Sequence, residues 1–515
     1  MITKELYHEK LMGCWMGKNI GGTLGAPLES TNCMSYTKFY DYYLQELTEG
    51  AIPNDDLDLQ LVWLNAAEKY KNCLNSRILG EYWLSYIFPN PSEYGAAKGN
   101  LMAGIMPPLS GEYKNIHKNS CGAFIRSEVW ACLAPGHPET AVRYAIMDAE
   151  VDHSGEGVYA EIFCAALESA AFFESDREKL IEIAVSYLPE ECGIRNAIKS
   201  VQKSYKDGLT WKQAFFELMK IEPSSFSHGN FGWVDENGTK IECRETGYDA
   251  PGNIGIVMIG WYYGEGDFGK SLSIALNCGE DTDCTCATLG AVMGILYGEK
   301  KIPDKWKKPI GHKIISCCIN DMDWTITIPK TLEELVERIM FLSPVIIGKE
   351  YINSDSIIPA EEFFYTGLKS KYTKFIDYER VRSPYKVRYE FEVMDILFDY
   401  KEDPVFAPNS TKKFSVKLLS NRGTQFVTKI KIHHSEDVQI STGDEMSCYL
   451  YQFYHAASEF EFEVNFGEIN AAKIEFVLEV SIEGRCEKCF IPIVLFNDRT
   501  QCIINDTVYG KEFSI

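Results

Sequence analysis

The chain has no long apolar run, no excess of basic residues and no repeated or low-complexity tract. Its most apolar stretch, residues 284–298, falls short of the ~20 residues a helix needs to cross a bilayer, so no membrane partner is expected. Lysine and arginine number 51 against 74 acids, a net charge of −23. Clustered cations hold nucleic-acid phosphates, so a nucleic-acid surface is not expected either. Metal ions and helix N-termini can still receive an anionic ligand locally. The opening residues MITKELYHEKLMG hold no basic stretch followed by an apolar one, so no secretory signal is expected. The 17 cysteines are odd in number and scattered. They read as reduced, mostly buried thiols and point to the cytoplasm. Cys486 and Cys489 form a lone CxxC without a second pair, and Cys317-Cys318 reads as core packing.

What is present is acid, concentrated twice. Asn54-Asp55-Asp56 opens the run LDLQLVWLNAAEKY, and Asp281-Thr282-Asp283 opens CTCATLGAVMGILYG. Each cluster ends a polar loop and starts an apolar helix. Asp and Asn cap helix N-termini and complement the macrodipole, so two caps are one reading. Capping needs one or two acids, yet the first run carries Asp55, Asp56 and Asp58. Carboxylates packed this densely near a core repel unless a cation compensates them. Oxygen donors of this kind suit magnesium, calcium or manganese rather than zinc or copper.

Helical periodicity runs through the first two-thirds of the chain, over 5–20, 57–70, 138–150, 156–175, 179–187, 193–206, 210–220, 252–264 and 267–277. No strands interleave, which predicts an all-α domain over 1–345. Two turn-rich stretches, 88–123 and 226–253, read as loops at the mouth of the site, the second with a hairpin at Asn237-Gly238. Period-two alternation follows at 413–420, 425–434, 460–466, 473–482 and 489–497, which predicts an all-β, sandwich-like domain over 346–515.

Four segments in order resemble the ADP-ribosylglycohydrolase family, of the dinitrogenase-reductase-activating type. Gly21-Gly22-Thr23-Leu24-Gly25-Ala26-Pro27-Leu28-Glu29 resembles its Gly-Asp-x-x-Gly-x-x-x-Glu opening, and Asn54-Asp55-Asp56 its Thr-Asp-Asp motif. Asp152-His153-Ser154 resembles the Thr/Ser-His segment, and Asn277 to Asp283 the Gly-Gly-Asp-Thr-Asp-Thr motif. SCGAFIRSEVWACLAPGHP (120–138) resembles the intervening Gly-Ala-x-x-Arg stretch. Three positions depart from the pattern: Gly22 stands for Asp, Asn54 for Thr and Cys284 for Thr. An Asp-Thr-Asp-Cys pattern with a C-terminal extension is similar to a divergent subgroup of the family.

The resemblance implies a metal-dependent hydrolase of an N- or O-glycosidic ribosyl bond, acting on a small-molecule or ADP-ribosylated substrate. It implies two magnesium ions, with manganese the alternative, held by Asp55, Asp56, Asp281 and Asp283 and flanked by Asn54 and Cys284. Glu29 and Asp56 would be catalytic, with Gly122, His153 and Asn253 at the substrate. Two alternatives remain open: a glycosidase of the same fold acting on a nucleoside or sugar conjugate, and a non-catalytic member of the fold. Oligomeric state is not legible from the chain.

Overall fold

A computed structural model describes residues 1–29, 38–47, 50–221, 247–320, 325–353, 355–360, 382–422, 424–450 and 457–499. Two compact units divide the chain: Met1–Gly95 with Ile116–Val381, and Ala96–Asn115 with Arg382–Ile515. The expected hairpin at Asn237-Gly238 lies outside the described residues.

The first unit is helical. Its described elements include α1 (Lys4–Gly25), α2 (Asp55–Tyr70), α3 (Ser76–Tyr86), the start of α4 (Ser92–Met102), α6 (Ser127–Leu133), α7 (Pro138–Ala149), α8 (Glu156–Ala171) and α9 (Arg177–Ser186). They continue with α10 (Gly193–Lys206), α11 (Trp211–Leu218), α12 (Ala250–Tyr263), α13 (Phe268–Cys278), α14 (Thr282–Tyr297), α15 (Asp304–Ile310) and α16 (Leu332–Ile347). A short ladder interrupts the all-α expectation. Strand β1 (Ile2–Thr3) pairs antiparallel with β2 (Ser356–Ile357).

Most helices start on a side-chain cap: Thr3, Asn54, Asn75, Asp176, Thr210, Asp249, Asp267 and Thr331 each accept a hydrogen bond from a backbone N–H of the first turn. Helix α1 runs five residues beyond the expected end at 20, because its later residues pack on α14. Its glycines at 13, 17, 21 and 25 recur every fourth residue and form one stripe. A Cβ on Gly17 would lie 2.0 Å from Gly290 O, one on Gly21 2.0 Å from Cys286 O, and one on Gly25 2.3 Å from Thr282 O. The helices therefore touch backbone to backbone, a spacing that only glycine permits. Gly22, one residue off the stripe, has Asn54 Nδ2 as its nearest neighbour, at 3.3 Å.

Residues 88–123 are not the loop expected from their turn-formers. They carry α4 and the short α5 (Leu109–Glu112). Ile105, Leu109 and Tyr113 belong to the hydrophobic core of the second unit, where the Tyr113 ring stacks on Phe496 at 5.7 Å. The period of this stretch was obscured because it serves two cores.

The second unit holds two five-stranded sheets around that core. One has the order β3 (Lys386–Glu390), β4 (Met394–Asp399), β6 (Thr411–Ser420), β10 (Ala457–Phe466), β8 (Val438–Ile440). The other runs β5 (Val405–Phe406), β12 (Lys488–Asn497), β11 (Lys473–Ile482), β7 (Phe426–His433), β9 (Glu445–Leu450). All pairings are antiparallel except β5 with β12. Register places Phe414 opposite Phe462, with rings stacked at 5.5 Å, and Phe476 meets Phe414 from the other sheet at 5.9 Å. The expected sandwich-like β region is present, with β3, β4, β5, β8 and β9 added to the strands read from alternation.

The glycine stripe gives a stability test. Gly17→Ala forces α1 away from α14 and is expected to cost about 1–3 kcal/mol or more. Gly22→Ala, in the same helix, meets only a side-chain amide and is expected within about 1 kcal/mol of the parent. Equal midpoints for the two variants in urea unfolding would show that the backbone contact is not limiting.

Candidate functional site

Helices α2 and α14 begin beside one another, and Asn54 joins them. Its Oδ1 accepts the Asp56 N–H at 2.6 Å, capping α2, and its Nδ2 donates to Asp283 Oδ2 at 3.0 Å, in the first turn of α14. Both polar ends of Asn54 are thus engaged by protein. The amide is therefore a clamp between the two acidic motifs. An aspartate at 22, as in the resembled pattern, would meet this amide, so the departures at 22 and 54 occupy one place.

The close approach of α1 to α14 sets Glu29, just past the end of α1, against the second motif. Glu29, Asp281 and Asp283 each present an oxygen within 4.8 Å of the others, and so do Asp56, Asp283 and the Cys284 thiol. Asp55 turns to Tyr94, whose hydroxyl donates to Asp55 Oδ2 at 2.9 Å. Tyr248 OH donates to Glu29 Oε1 at 3.1 Å. The two motifs and Glu29, more than two hundred residues apart in sequence, therefore form one cluster.

The acids divide by how they are neutralised. Buried Lys18 Nζ faces Asp56 Oδ1 at 3.2 Å and Glu128 Oε1 at 2.8 Å, and donates to Ile125 O at 2.9 Å. Burial opposes the Lys18 charge, but Glu128 and Asp56 hold its pKa above the ordinary range. Among the described residues, Asp281 and Asp283 meet only neutral donors. Cys121 Sγ donates to Asp281 Oδ2 at 2.7 Å, and Asp281 N–H donates to Asn253 Oδ1 at 3.2 Å. Asp281 Oδ1 and Asp283 Oδ1 accept no hydrogen bond, although both residues are buried. Buried carboxylate oxygens without a donor are costly, and their chemistry fits a hard divalent cation.

The titration of the cluster agrees. Burial pushes Asp56 up to about 7 against the pull of Lys18, with Asp55 and Asp281 adding to the rise. Glu29, at the rim, is raised to about 7 by desolvation and then by Asp281. Asp283 rises well above the carboxylate range through burial and the Asp281 charge. Burial also raises the Cys284 thiol, which sits 3.8 Å from Asp56 Oδ2 as a donor toward the acid. Its Sγ also lies within 4.8 Å of an oxygen of Asp56 and of Asp283, so it stays at the edge of the cluster, although sulfur suits a hard cation poorly.

The three residues expected at the substrate are all buried and committed to protein. Asn253 Nδ2 donates to Gly247 O and Asp249 O, both at 2.9 Å, while its Oδ1 fixes the start of α14. His153 sets Nε2 against Ser120 Oγ at 2.9 Å and Nδ1 against Asp152 Oδ1 at 2.9 Å. Gly122 leaves room for these groups: a Cβ there would lie 2.2 Å from Glu93 Oε1 and 3.3 Å from His153 Cε1. Gly122 and His153 thus border one another, and Asn253 holds Asp281.

Arg126 ties Gly122 to Asp148 and Asp152. Its Nε donates to Asp148 Oδ1 at 2.9 Å, and its NH1 and NH2 grip Asp152 at 3.0 and 2.8 Å. NH1 also donates to Gly122 O at 2.7 Å, and the guanidinium lies 5.0 Å from the Trp83 ring. Sequence reasoning missed Lys18, Tyr94, Cys121, Glu128 and Tyr248. Lys18 offered one signal, a cation set in the Gly-rich apolar second half of α1, where a buried acid would be needed to hold it.

A family model described as ADP-ribosylglycohydrolase matches residues 3–343. No curated protein matches the chain. Among solved structures, a FixG-related protein from Vibrio parahaemolyticus is similar at 6% identity, over 20% of this chain and 94% of that one, with a TM-score of 0.17. SSP-19, an MSP-domain protein like family member in Caenorhabditis elegans, is similar at 11% identity, over 18% and 94%, with a TM-score of 0.14. The GAE domain of GGA2p from Saccharomyces cerevisiae is similar at 9%, over 22% and 96%, with a TM-score of 0.15. Scores this low carry no argument about the chain.

Raised carboxyl pKa values mean that the fold binds protons more tightly than the unfolded chain does. Cation-free protein is therefore expected to lose stability as pH climbs from about 4 through about 7. Asp283→Asn removes one charge and keeps an oxygen for Asn54. In chelator, its melting temperature is expected to exceed the parent's at pH 8 and to match it at pH 5. A lower value at pH 8 would mean that the carboxylates are not in conflict.

Proposed function

The chain belongs to the ADP-ribosylglycohydrolase family, and on that premise we propose that it hydrolyses a glycosidic bond at the anomeric carbon of ribose in an ADP-ribose conjugate. The observation that carries this reading is the convergence of Glu29 with the starts of α2 and α14, where Asp281 and Asp283 hold oxygens with no hydrogen to accept. Asp55, Asp56, Asp281 and Asp283 would hold divalent cations, magnesium or manganese, with Asn54 locking the two motifs in register. When bound, the cations supply positive charge that fixes ribose hydroxyls and relieves the carboxylates.

The protein's own groups then divide the work. Glu29 is at the rim, within reach of water, and a carboxyl at about 7 exchanges protons near neutrality. It takes the proton of the attacking water as the new C–O bond forms at the anomeric carbon. The bond to the leaving group breaks with its own electron pair going to the aglycone, which takes up the proton that Glu29 removed from the water. Asp281 and Asp283 lie beside Glu29, where their charge stabilises the oxocarbenium character of the ribose. Tyr248 keeps one oxygen of Glu29 occupied and so directs the other.

A second reading, a glycosidase of nucleosides or simple ribosides, has one observation in its favour. The buried cations described beside the site, Lys18 and Arg126, are both paired with carboxylates and offer no charge to a diphosphate.

Asp56→Ala and Asp283→Ala are each expected to lower turnover by roughly a hundredfold or more, comparable to removing one preorganised electrostatic contact. Chelation is expected to do the same, and magnesium or manganese to restore the parent enzyme. Release of ADP-ribose from modified protein, run beside hydrolysis of simple ribosides, separates the two readings. Full activity in chelator would remove the metal role.

A further inference from the structure

A second set of ligating groups lies outside the carboxylate cluster. Asp58 is wholly buried, and its Oδ2 accepts the backbone N–H of Cys317 and of Cys318, each at 2.7 Å. Its Oδ1 has no hydrogen-bond partner. The same segment is pinned along its other edge. Phe88 N–H donates to Cys318 O at 2.8 Å, and Asn320 N–H donates to Tyr86 O at 2.7 Å, around the Ile87–Ile319 bridge. A backbone held on both edges presents two adjacent thiols with Sγ atoms 3.4 Å apart. Cys317 is exposed and Cys318 partly so, which overturns the expectation of core packing. An oxygen of Asp58 and the two sulfurs all lie within 4.8 Å of one another.

Such a pair can close on itself or share a third atom. Adjacent Cα atoms across a trans peptide are about 3.8 Å apart, below the ~4.4–6.8 Å that a disulfide prefers. Closing the sulfurs to ~2.05 Å would also pull against both hydrogen bonds to Asp58. A tetrahedral cation with metal–sulfur bonds of ~2.3 Å separates its sulfurs by ~3.8 Å, close to the spacing already present.

We propose that Asp58, Cys317 and Cys318 form a binding site for a thiophilic divalent cation of the zinc class, separate from the carboxylate site at Asp56, Asp281 and Asp283. Two thiolates and one carboxylate supply three ligands, and water from the exposed side completes four. Binding makes two metal–sulfur bonds and releases the two thiol protons to solvent, with no change of oxidation state. Magnesium, which takes oxygen ligands, does not compete.

Cobalt(II) titrated into the reduced full-length chain, with magnesium in excess, reads the site through thiolate-to-cobalt charge-transfer absorption. One equivalent is expected to bind with this band, and one equivalent of zinc to displace it. Cys317→Ser and Cys318→Ser are each expected to lose most of the band. Asp58→Asn keeps an oxygen for the two N–H groups and is expected to weaken cobalt binding roughly tenfold or more. Melting curves without cobalt establish that the variants are folded. Absence of the band in the parent chain would overturn the proposal. So would its survival in the double serine variant, or recovery of Cys317–Cys318 as a disulfide under mild reductant.

Discussion

Everything at the carboxylate cluster depends on how closely α1 and α14 approach. Four glycines at four-residue spacing remove every side chain from one stripe of α1, and Gly290 and Gly294 answer from α14. The last of the four, Gly25, meets Thr282 O and the backbone of Asp283, inside the acidic motif itself. The chain then leaves α1 through Ala26-Pro27-Leu28 and has only a few residues in which to deliver Glu29. A wider helix spacing would carry Glu29 outward and leave Asp281 and Asp283 with one carboxylate neighbour fewer. Packing and chemistry are here the same constraint.

The electrostatics follow from that geometry. Two buried cations, Lys18 and Arg126, are each divided between carboxylates. Buried charge pairs of this kind are costly to break because a partner is left unpaired. They neutralise Asp56, Glu128, Asp148 and Asp152. Among the described residues, Asp281 and Asp283 receive no such partner, only the Asn54 amide and the Cys121 thiol. The fold therefore holds a deficit of positive charge at one place, and it does so with rigid neighbours. Stability is given up locally where an external cation would restore it.

Much of this was legible in the chain. The two acidic motifs announced themselves because like charges at helix starts exceed what capping requires. The strands of the second unit were visible wherever alternation was clean, as in 413–420 and 473–482. Residues 88–123 misled because one stretch serves two cores: Tyr94 turns to Asp55, while Ile105, Leu109 and Tyr113 join the sheets. No single period describes such a segment. Asn54 and Cys284 were read by residue type alone, and a side chain's protein partners depend on direction. An asparagine amide that clamps and a thiol that donates look no different, in sequence, from groups that ligate. The role of Lys18 was hidden for the same reason, since its partners lie on other elements.

The small ladder of Ile2–Thr3 on Ser356–Ile357, extended by Lys4 N–H to Asp355 O at 3.0 Å, brings the two ends of the helical unit side by side. Residues 2–4 and 355–357 thus close a loop of chain through the helical unit, from which 96–115 depart to the second unit. The native order of helices is one of several cuts through that loop, and circular permutants joined across this ladder should preserve every contact of the carboxylate cluster.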